Sequence, residues 1–99
     1  MAKVLDNIVG SVGTSTRVEV KMVQTGHPHA KGGLLQNTHA TQIVYVGGAT
    51  QTDVDATTGW PLAAGKSIYI EGEIGQNSGF WVLGSGAATT FMFLPSSTD

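Results

Sequence analysis

Four stretches decide the fold: GGLLQNTHATQIVYVGG (32–48), TTGWPLAAGKSIYIEGEIG (57–75), SGFWVLGSG (78–86) and ATTFMFL (88–94). Each contains a short run of β-branched, aromatic and aliphatic residues that is bounded by turn-forming residues, glycine above all. Runs of about four to eight such residues between turn residues are typical of β-strands. No run carries an obvious catalytic residue. The sequence therefore predicts a compact all-β module whose function lies on its surface.

Alternating polarity marks two half-buried strands. In residues 67–74 isoleucines alternate with Tyr69 and glutamates, and in residues 16–24 apolar residues alternate with charged ones. Successive side chains of a strand point to opposite faces, so each segment has one buried and one solvated face. Residues 42–46 are nearly all β-branched or aromatic, which is typical of a central strand covered on both faces.

The whole pattern predicts one small β-sandwich of jelly-roll or immunoglobulin-like character, with about seven strands and little helix. A chain of 99 residues is long enough for one such domain. We expect residues 1–13 to form an N-terminal arm or an edge strand, and residues 14–95 to form the sandwich. Pro95 is expected to end the last strand and to leave residues 96–99 as a solvated tail.

Charge is sparse in this chain. Five Lys and Arg stand against seven Asp and Glu, for a formal net charge of −2, and cysteine is absent. The sequence has no run of basic residues that could bind nucleic acid, and no apolar run approaches the ~20 residues of a membrane helix. Neither nucleic acid nor a membrane is therefore an expected partner. Without cysteine there are no disulfides or thiolate metal sites, which fits assembly in a reducing cytoplasm. Charged residues are 12% of the chain, about half the usual share, so the surface is covered by small polar residues or by other subunits.

His27 and His29 are the one pair with metal-ligand spacing. Two imidazoles two residues apart in an extended segment point to the same side, and His39, Asp53 or Asp55 offers a third ligand. A symmetric trimer would also gather three copies of the pair around its axis. Two ligands do not make a site without a third, so a polar loop with exposed histidines is the preferred interpretation, and no cofactor is expected.

Two pairs of carboxylates have spacings that suggest chemistry. Asp53 and Asp55 lie in a threonine-rich loop, but the ladder of oxygen ligands with a distal glutamate that calcium needs is missing. Glu71 and Glu73 share one strand face about 7 Å apart, as paired carboxylates for glycoside hydrolysis would. That face is predicted to be solvated and not a cleft. With no nucleophile elbow and no phosphate-binding glycine motif, the sequence predicts a protein that is not an enzyme.

Three aromatic residues are candidates for surface binding. Trp60, Tyr69 and Trp81 would form a stacking platform for a sugar if they were exposed together. In a small β-sandwich such residues are more often part of the core or of an interface, so that interpretation is preferred.

Two apolar segments are predicted to contact another subunit or a capsid. The first has apolar residues at helical or edge-strand spacing near the start of the chain, and the second is the closing run FMFL. A strand that is apolar on both faces is either central or covered by a partner. The predicted contact residues are Val4, Leu5, Ile8, Val9, Phe91, Met92, Phe93 and Leu94.

The middle of the chain resembles a small β-sandwich module of tailed-bacteriophage virion proteins. The resemblance is carried by LQN (35–37), VYVGG (44–48), TGWPL (58–62) and GKS (65–67), and it covers about two thirds of the chain. These are packing and turn motifs. The chain departs from the family pattern at FMFL (91–94), where the family alternates with charged residues, and a self-association or capsid contact would explain the departure.

The resemblance implies a virion protein with a structural role. A capsid decoration (cement) protein is expected, one that binds the major capsid protein or other virion proteins on the outside of the assembled head. It is expected to act as a homo-oligomer, with a trimer favoured, and to reside in the virion after assembly in the host cytoplasm. The alternative is a tail or head-fibre or adaptor subunit that binds a receptor or glycan.

Overall fold

The computed structural model describes residues 2–4, 8–21, 32–48, 51–71 and 79–98. These ranges contain nine β-strands and no helix, so the all-β prediction is confirmed. The strands are β1 Ala2–Val4, β2 Ile8–Val12, β3 Val18–Lys21, β4 Gly32–Asn37, β5 Val44–Gly47, β6 Trp60–Leu62, β7 Ser67–Glu71, β8 Gly79–Gly84 and β9 Thr89–Thr98. Within the same ranges, no helix is long and apolar enough to cross a membrane.

The strands form two antiparallel sheets. Sheet A has the order β9-β4-β7, and β1 and β2 follow one another along the free side of β9. Sheet B has the order β3-β8-β5-β6. The pairs β2–β9, β3–β8, β4–β7 and β5–β6 are those of one long hairpin, which is rolled up so that β9 also pairs with β4 and β8 with β5. This arrangement is a jelly roll, so of the two predicted alternatives the structure has the jelly roll and not the immunoglobulin-like sandwich.

The core lies between the two sheets. Phe91, Phe93 and Leu35 of sheet A are at most 1% exposed, and they pack with Val44 and Val82 of sheet B in one cluster. The rings of Phe80 and Phe93 meet edge to face across the sheets, with centroids 5.1 Å apart and planes at 69°. Such an arrangement suits the aromatic quadrupoles and fixes the spacing of the two layers.

The predicted alternation holds in the half-buried strands. Ile68 and Ile70 of β7 pack against the core while Tyr69 between them is 58% exposed. In β3, Val20 is buried and Glu19 is exposed. The core-facing positions therefore agree with the period-two pattern in both strands.

Strand β9 continues past Pro95, where the sequence predicted its end. Residues 96–98, predicted as a solvated tail, pair with β1 and belong to the strand. The N–H of Thr38 donates to the carbonyl oxygen of Thr90 (3.2 Å), so the backbone groups of even-numbered β9 residues face β4. The backbone of Pro95 therefore faces away from β4, toward the interval between the last pair of β1 and the first pair of β2. Because proline has no N–H, this position costs no hydrogen bond to β4.

Asn37 joins three turns at one end of the sandwich. Its side chain is fully buried, and Nδ2 donates to the carbonyl oxygens of Gln42 (2.7 Å) and Leu62 (2.9 Å). Its Oδ1 accepts the N–H of His39 at 2.9 Å. A buried amide with these three hydrogen bonds is well satisfied, and it fixes the chain where β4 ends and where β5 and β6 lie beside it.

The loop from Gln51 to Gly59 packs against the outer face of sheet B. Its residue Val54 is fully buried, yet it does not belong to the core cluster between the sheets. A Cβ at Gly47 would lie 2.8 Å from Val54 Cβ, and one at Gly59 would lie 2.8 Å from Val54 Cγ2. The two glycines therefore make the space for Val54. The threonine-rich composition of this loop agrees with its exposed threonines but gives no sign that Val54 is buried.

Candidate interaction surface

Five apolar side chains come together on the outer face of sheet A. In the register of the sheet, Leu94, Leu34 and Tyr69 stand side by side on β9, β4 and β7. Val9 of β2 stands beside Met92 of β9, two residues along β9 from Leu94. Their chain neighbours on the opposite side of each strand point into the core, so these five point outward. We call Val9, Met92, Leu94, Leu34 and Tyr69 the sheet A face.

The sheet A face is exposed and uncharged. Val9 is 69% exposed, Tyr69 58%, Leu34 42% and Leu94 37%, while Met92 is half-buried. Of the large hydrophobic residues that the described chain exposes, four therefore lie on this one face. Gln36 and Ser67 complete the row of Val9 and Met92, and the next row contains Ser11 and Thr90.

None of the outward-pointing side chains that the structure describes on sheet A carries a charge. Burying the five side chains of the sheet A face removes no ion from water, so their apolar area counts almost fully toward association. Contiguous exposed apolar patches on soluble proteins often mark interaction sites.

Gly32 gives the ring of Tyr69 its position. A Cβ at residue 32 would lie 2.8 Å from the Tyr69 hydroxyl and 3.0 Å from Cζ, so the ring lies over the glycine. Gly32 also has a φ of +155°, which disfavours other residues. The aromatic ring therefore lies along the surface of the sheet and extends the apolar face toward β4.

The contact residues predicted from the sequence are divided between the surface and the core. Val9, Met92 and Leu94 lie on the sheet A face. Phe91 and Phe93 are 1% and 0% exposed, so they belong to the core, and their prediction as contact residues is corrected. The reason is that β9 is an interior strand, and the opposite sheet covers its second apolar side.

The remaining predicted contact residues are Val4, Leu5 and Ile8. Ile8 packs against the core. Val4 belongs to β1 and is paired with Ser96, while Leu5 lies outside the described residues. Leu34 was missed as a surface residue, because Leu34 and Leu35 adjoin and only the register shows which of them points outward.

The three candidate aromatic residues do not form one platform. Tyr69 lies on sheet A, whereas Trp60 and Trp81 lie in β6 and β8 of sheet B. Trp60 is 63% exposed on an edge strand. Trp81 is half-buried between Glu19 and Gly47, and its Nε1 is buried without a hydrogen-bond partner among the described residues. Trp60 and Tyr69 are therefore both exposed, but they lie on different sheets.

The candidate metal ligands have other contacts where the structure describes them. His27 and His29 lie outside the described residues. His39 Nδ1 accepts the N–H groups of Thr41 (3.1 Å) and Gln42 (3.0 Å), which closes a turn. Within the described ranges, no group of three His, Asp or Glu residues is arranged to hold a metal ion.

Asp55 organises the loop over sheet B. Its Oδ1 accepts from the hydroxyl of Thr57 (2.7 Å) and from the N–H groups of Thr57 (2.9 Å) and Thr58 (3.0 Å). These bonds, that of the Thr57 hydroxyl first, lower the pKa of Asp55 from 3.8 to about 2. Its partner in the proposed calcium pair, Asp53, contributes its carbonyl oxygen to Arg17 at 3.5 Å. Of the glutamate pair, Glu73 and the side chain of Glu71 lie outside the described part of the chain.

Comparison of the chain with protein-family models, with curated proteins and with solved structures finds no match.

Proposed function

We propose that this protein is a non-enzymatic structural protein of a bacteriophage virion, which binds the outside of the assembled head through the sheet A face. The observation that carries the proposal is the cluster of four exposed apolar side chains on the sheet A face. The resemblance of residues 33–94 to small virion modules supports a place in the virion. In this role the protein cements neighbouring capsid subunits.

The free energy for such binding would come from apolar burial. Each Å² of apolar surface removed from water contributes about 25 cal/mol, before the cost of association is subtracted. The absence of charge on the described part of the face keeps the desolvation cost low. Each contact is weak, but many copies bound to one shell together stabilise it.

The sandwich is a suitable support for this face. Met92 and Leu94 alternate with Phe91 and Phe93, which are fixed in the core. Leu34 alternates in the same way with the buried Leu35. The exposed side chains are therefore held on a rigid layer, and little ordering is needed when a partner binds.

Co-sedimentation with empty expanded heads tests the proposal. The heads are assembled from the major capsid protein encoded in the same genome. Wild-type protein is expected to sediment with them, and Val9→Ser is expected to weaken the affinity about tenfold, since it removes a largely exposed apolar contact. Trp60→Ser is the matched control, because it removes an exposed apolar residue from the other sheet. Loss of binding in Trp60→Ser but not in Val9→Ser would refute the role of the sheet A face.

A second candidate function rests on Trp60. An exposed tryptophan on an edge strand can stack on the apolar face of a sugar ring, as a fibre or adaptor subunit that binds a glycan would require. Binding of fluorescent host glycans that is lost in Trp60→Ala and kept in Val9→Ser would support this function. The same result without sedimentation on heads would replace the decoration proposal.

A further inference from the structure

Strand β7 is the open edge of sheet A. It pairs with β4 on one side and with no other strand among the described residues. Its sequence, SIYIE, combines two isoleucines and a tyrosine without proline or lysine. Residues of this kind favour strand pairing, and an unpaired edge of this kind is a template for another strand.

The other edges carry features that discourage pairing. Edge strand β6 has only three residues, and one of them is Pro61. In edge strand β3, valines alternate with the charged residues Glu19 and Lys21, and the charged Arg17 precedes the strand. The second edge of sheet A is divided between β1 and β2, and β2 contains Gly10. Among the described edges, β7 alone has five residues with no proline or glycine and a single charged residue, Glu71, at its end.

The backbone of β7 presents its free groups at alternate residues. The carbonyl oxygen of Lys66 accepts the N–H of Asn37 at 2.9 Å, so residue 66 faces β4. The direction of the backbone N–H and C=O groups alternates along a strand, so those of Ile68 and Ile70 also point toward β4. The N–H and C=O groups of Ser67, Tyr69 and Glu71 therefore point away from the sandwich.

We propose that β7 pairs antiparallel with β7 of a second copy of this chain, around a two-fold axis at Tyr69. In this register Tyr69 faces its own copy, and both exchange N–H and C=O groups. Ser67 and Glu71 of each chain do the same with Glu71 and Ser67 of the other. The contact forms about six backbone hydrogen bonds and joins the two A sheets into one.

The register is compatible with the side chains that the sequence places there. Ile68 stands opposite Ile70 of the second copy, so two β-branched residues form each of these cross-strand pairs. The acidic residue 71 stands opposite Ser67, so no like charges face each other. A two-fold contact requires a self-complementary edge of this kind.

The sheet A face continues across this contact. The row Leu94, Leu34 and Tyr69 ends at the edge strand, and in the dimer the same row of the second copy follows. The apolar surface is thereby doubled on one side of the pair. This two-fold arrangement stands in place of the trimer favoured from the sequence, and it does not depend on binding to heads.

Molecular mass in solution is the first test. The monomer mass is 10.3 kDa, and light scattering on a size-exclusion column is expected to give twice this value for the wild type. Tyr69→Lys and Tyr69→Glu are each expected to be monomeric, because like charges then face each other at the axis. When the two variants are mixed, the dimer mass is expected to return, since the charges are now opposite.

Rescue by mixing is specific to a contact with residue 69 opposite itself. Circular dichroism of each variant checks that the sandwich is folded, and Val9→Ser, three strands away from β7, is expected to remain dimeric. A wild-type monomer or trimer, or charge variants that stay dimeric alone, would overturn the proposal. A dimer that fails to sediment with heads would contradict only the decoration function, and a monomer that sediments would contradict only the β7 contact.

Discussion

The Nε atom of Arg17 donates a hydrogen bond of 2.8 Å to the carbonyl oxygen of Val54. The two residues are 37 positions apart in the chain, and the bond is partly buried. It joins the segment before β3 to the loop that covers sheet B. This bond fixes the carbonyl group of Val54. The side chain of Val54 fits into the space that Gly47, without a Cβ, leaves free.

Removing this cation should loosen the loop. Arg17→Gln is expected to lower the free energy of unfolding by about 1–2 kcal/mol, because a charged donor is lost from a partly buried carbonyl group. Urea denaturation measures the loss, and Lys66→Gln, which removes an exposed cation elsewhere, should stay within about 0.5 kcal/mol of the wild type. Faster hydrogen exchange at the N–H groups of Val54 and Gly59 should accompany the loss. Equal effects of the two variants would contradict the role given to Arg17.

The carboxylate of Asp55 should make the loop sensitive to acid. Its pKa in the fold is about 2, below its ordinary 3.8, so the fold favours the ionised form. The stabilisation is therefore present above pH about 4 and is lost as pH falls toward about 2. Asp55→Asn should be less stable than the wild type near neutral pH, and the difference should shrink over that acid range.

Urea denaturation at a series of pH values measures this difference. Asp53→Asn is the control, because it removes a carboxylate from the same loop and leaves the bonds around Asp55 intact. A gap between Asp55→Asn and the wild type that stays constant down to pH about 2 would show that the hydrogen-bonded charge is not the cause.

Two adjacent glycines should differ sharply in their tolerance of a methyl group. A Cβ at Gly47 would lie 2.8 Å from Val54 Cβ, whereas at Gly48 no atom of the described residues lies within 4 Å of the added Cβ. Gly47→Ala is expected to cost about 1–3 kcal/mol, and Gly48→Ala less than about 0.5 kcal/mol. Combining Gly47→Ala with Val54→Gly should cost less than the sum of the two single changes, because Val54 Cβ and Cγ2, at 2.8 Å and 2.9 Å from the added methyl group, are both removed. Additive effects in this thermal or urea cycle would mean that the two side chains do not meet.

Substitutions at two neighbouring residues of β9 should have different effects, one on the free energy of unfolding and the other on binding to heads. Phe93→Ala is expected to lower the free energy of unfolding by about 3–5 kcal/mol, since it removes a fully buried ring from the core. Leu94→Ser should cost less than about 1 kcal/mol and should instead weaken sedimentation with heads. If Leu94→Ser bound heads as tightly as the wild type, Leu94 would not be part of the contact.

The periodic segments could be predicted from the sequence, whereas the composition of the surface could not. Period-two alternation correctly separated Ile68 and Ile70 from Tyr69, because one side of β7 is covered and the other is not. The run FMFL has no alternation, so the sequence did not show that Phe91 and Phe93 are core while Met92 and Leu94 are surface. That division follows from which strand lies beside β9, a contact between distant parts of the chain.

The loop over sheet B was misjudged for a related reason. Residues 49–59 are polar in composition, and a single valine among threonines and aspartates gives no periodic signal. Its burial depends on two glycines and one arginine that are separate in sequence. The proline at residue 95 was expected to stop a strand, but only the sheet order shows that its missing N–H faces the interval between the described pairs of β1 and those of β2.

The rolled hairpin also sets when this protein can fold. Strands β2 and β4 both need β9 as a neighbour, and β3 and β5 both need β8. On the ribosome, neither sheet can be completed until the strands encoded last have emerged from the exit tunnel. Pairing between such distant segments is slow, on the order of milliseconds to seconds. Synthesis of β9 therefore precedes completion of the sandwich, and a chain stopped before β9 would leave β2 without its partner and β4 with β7 alone.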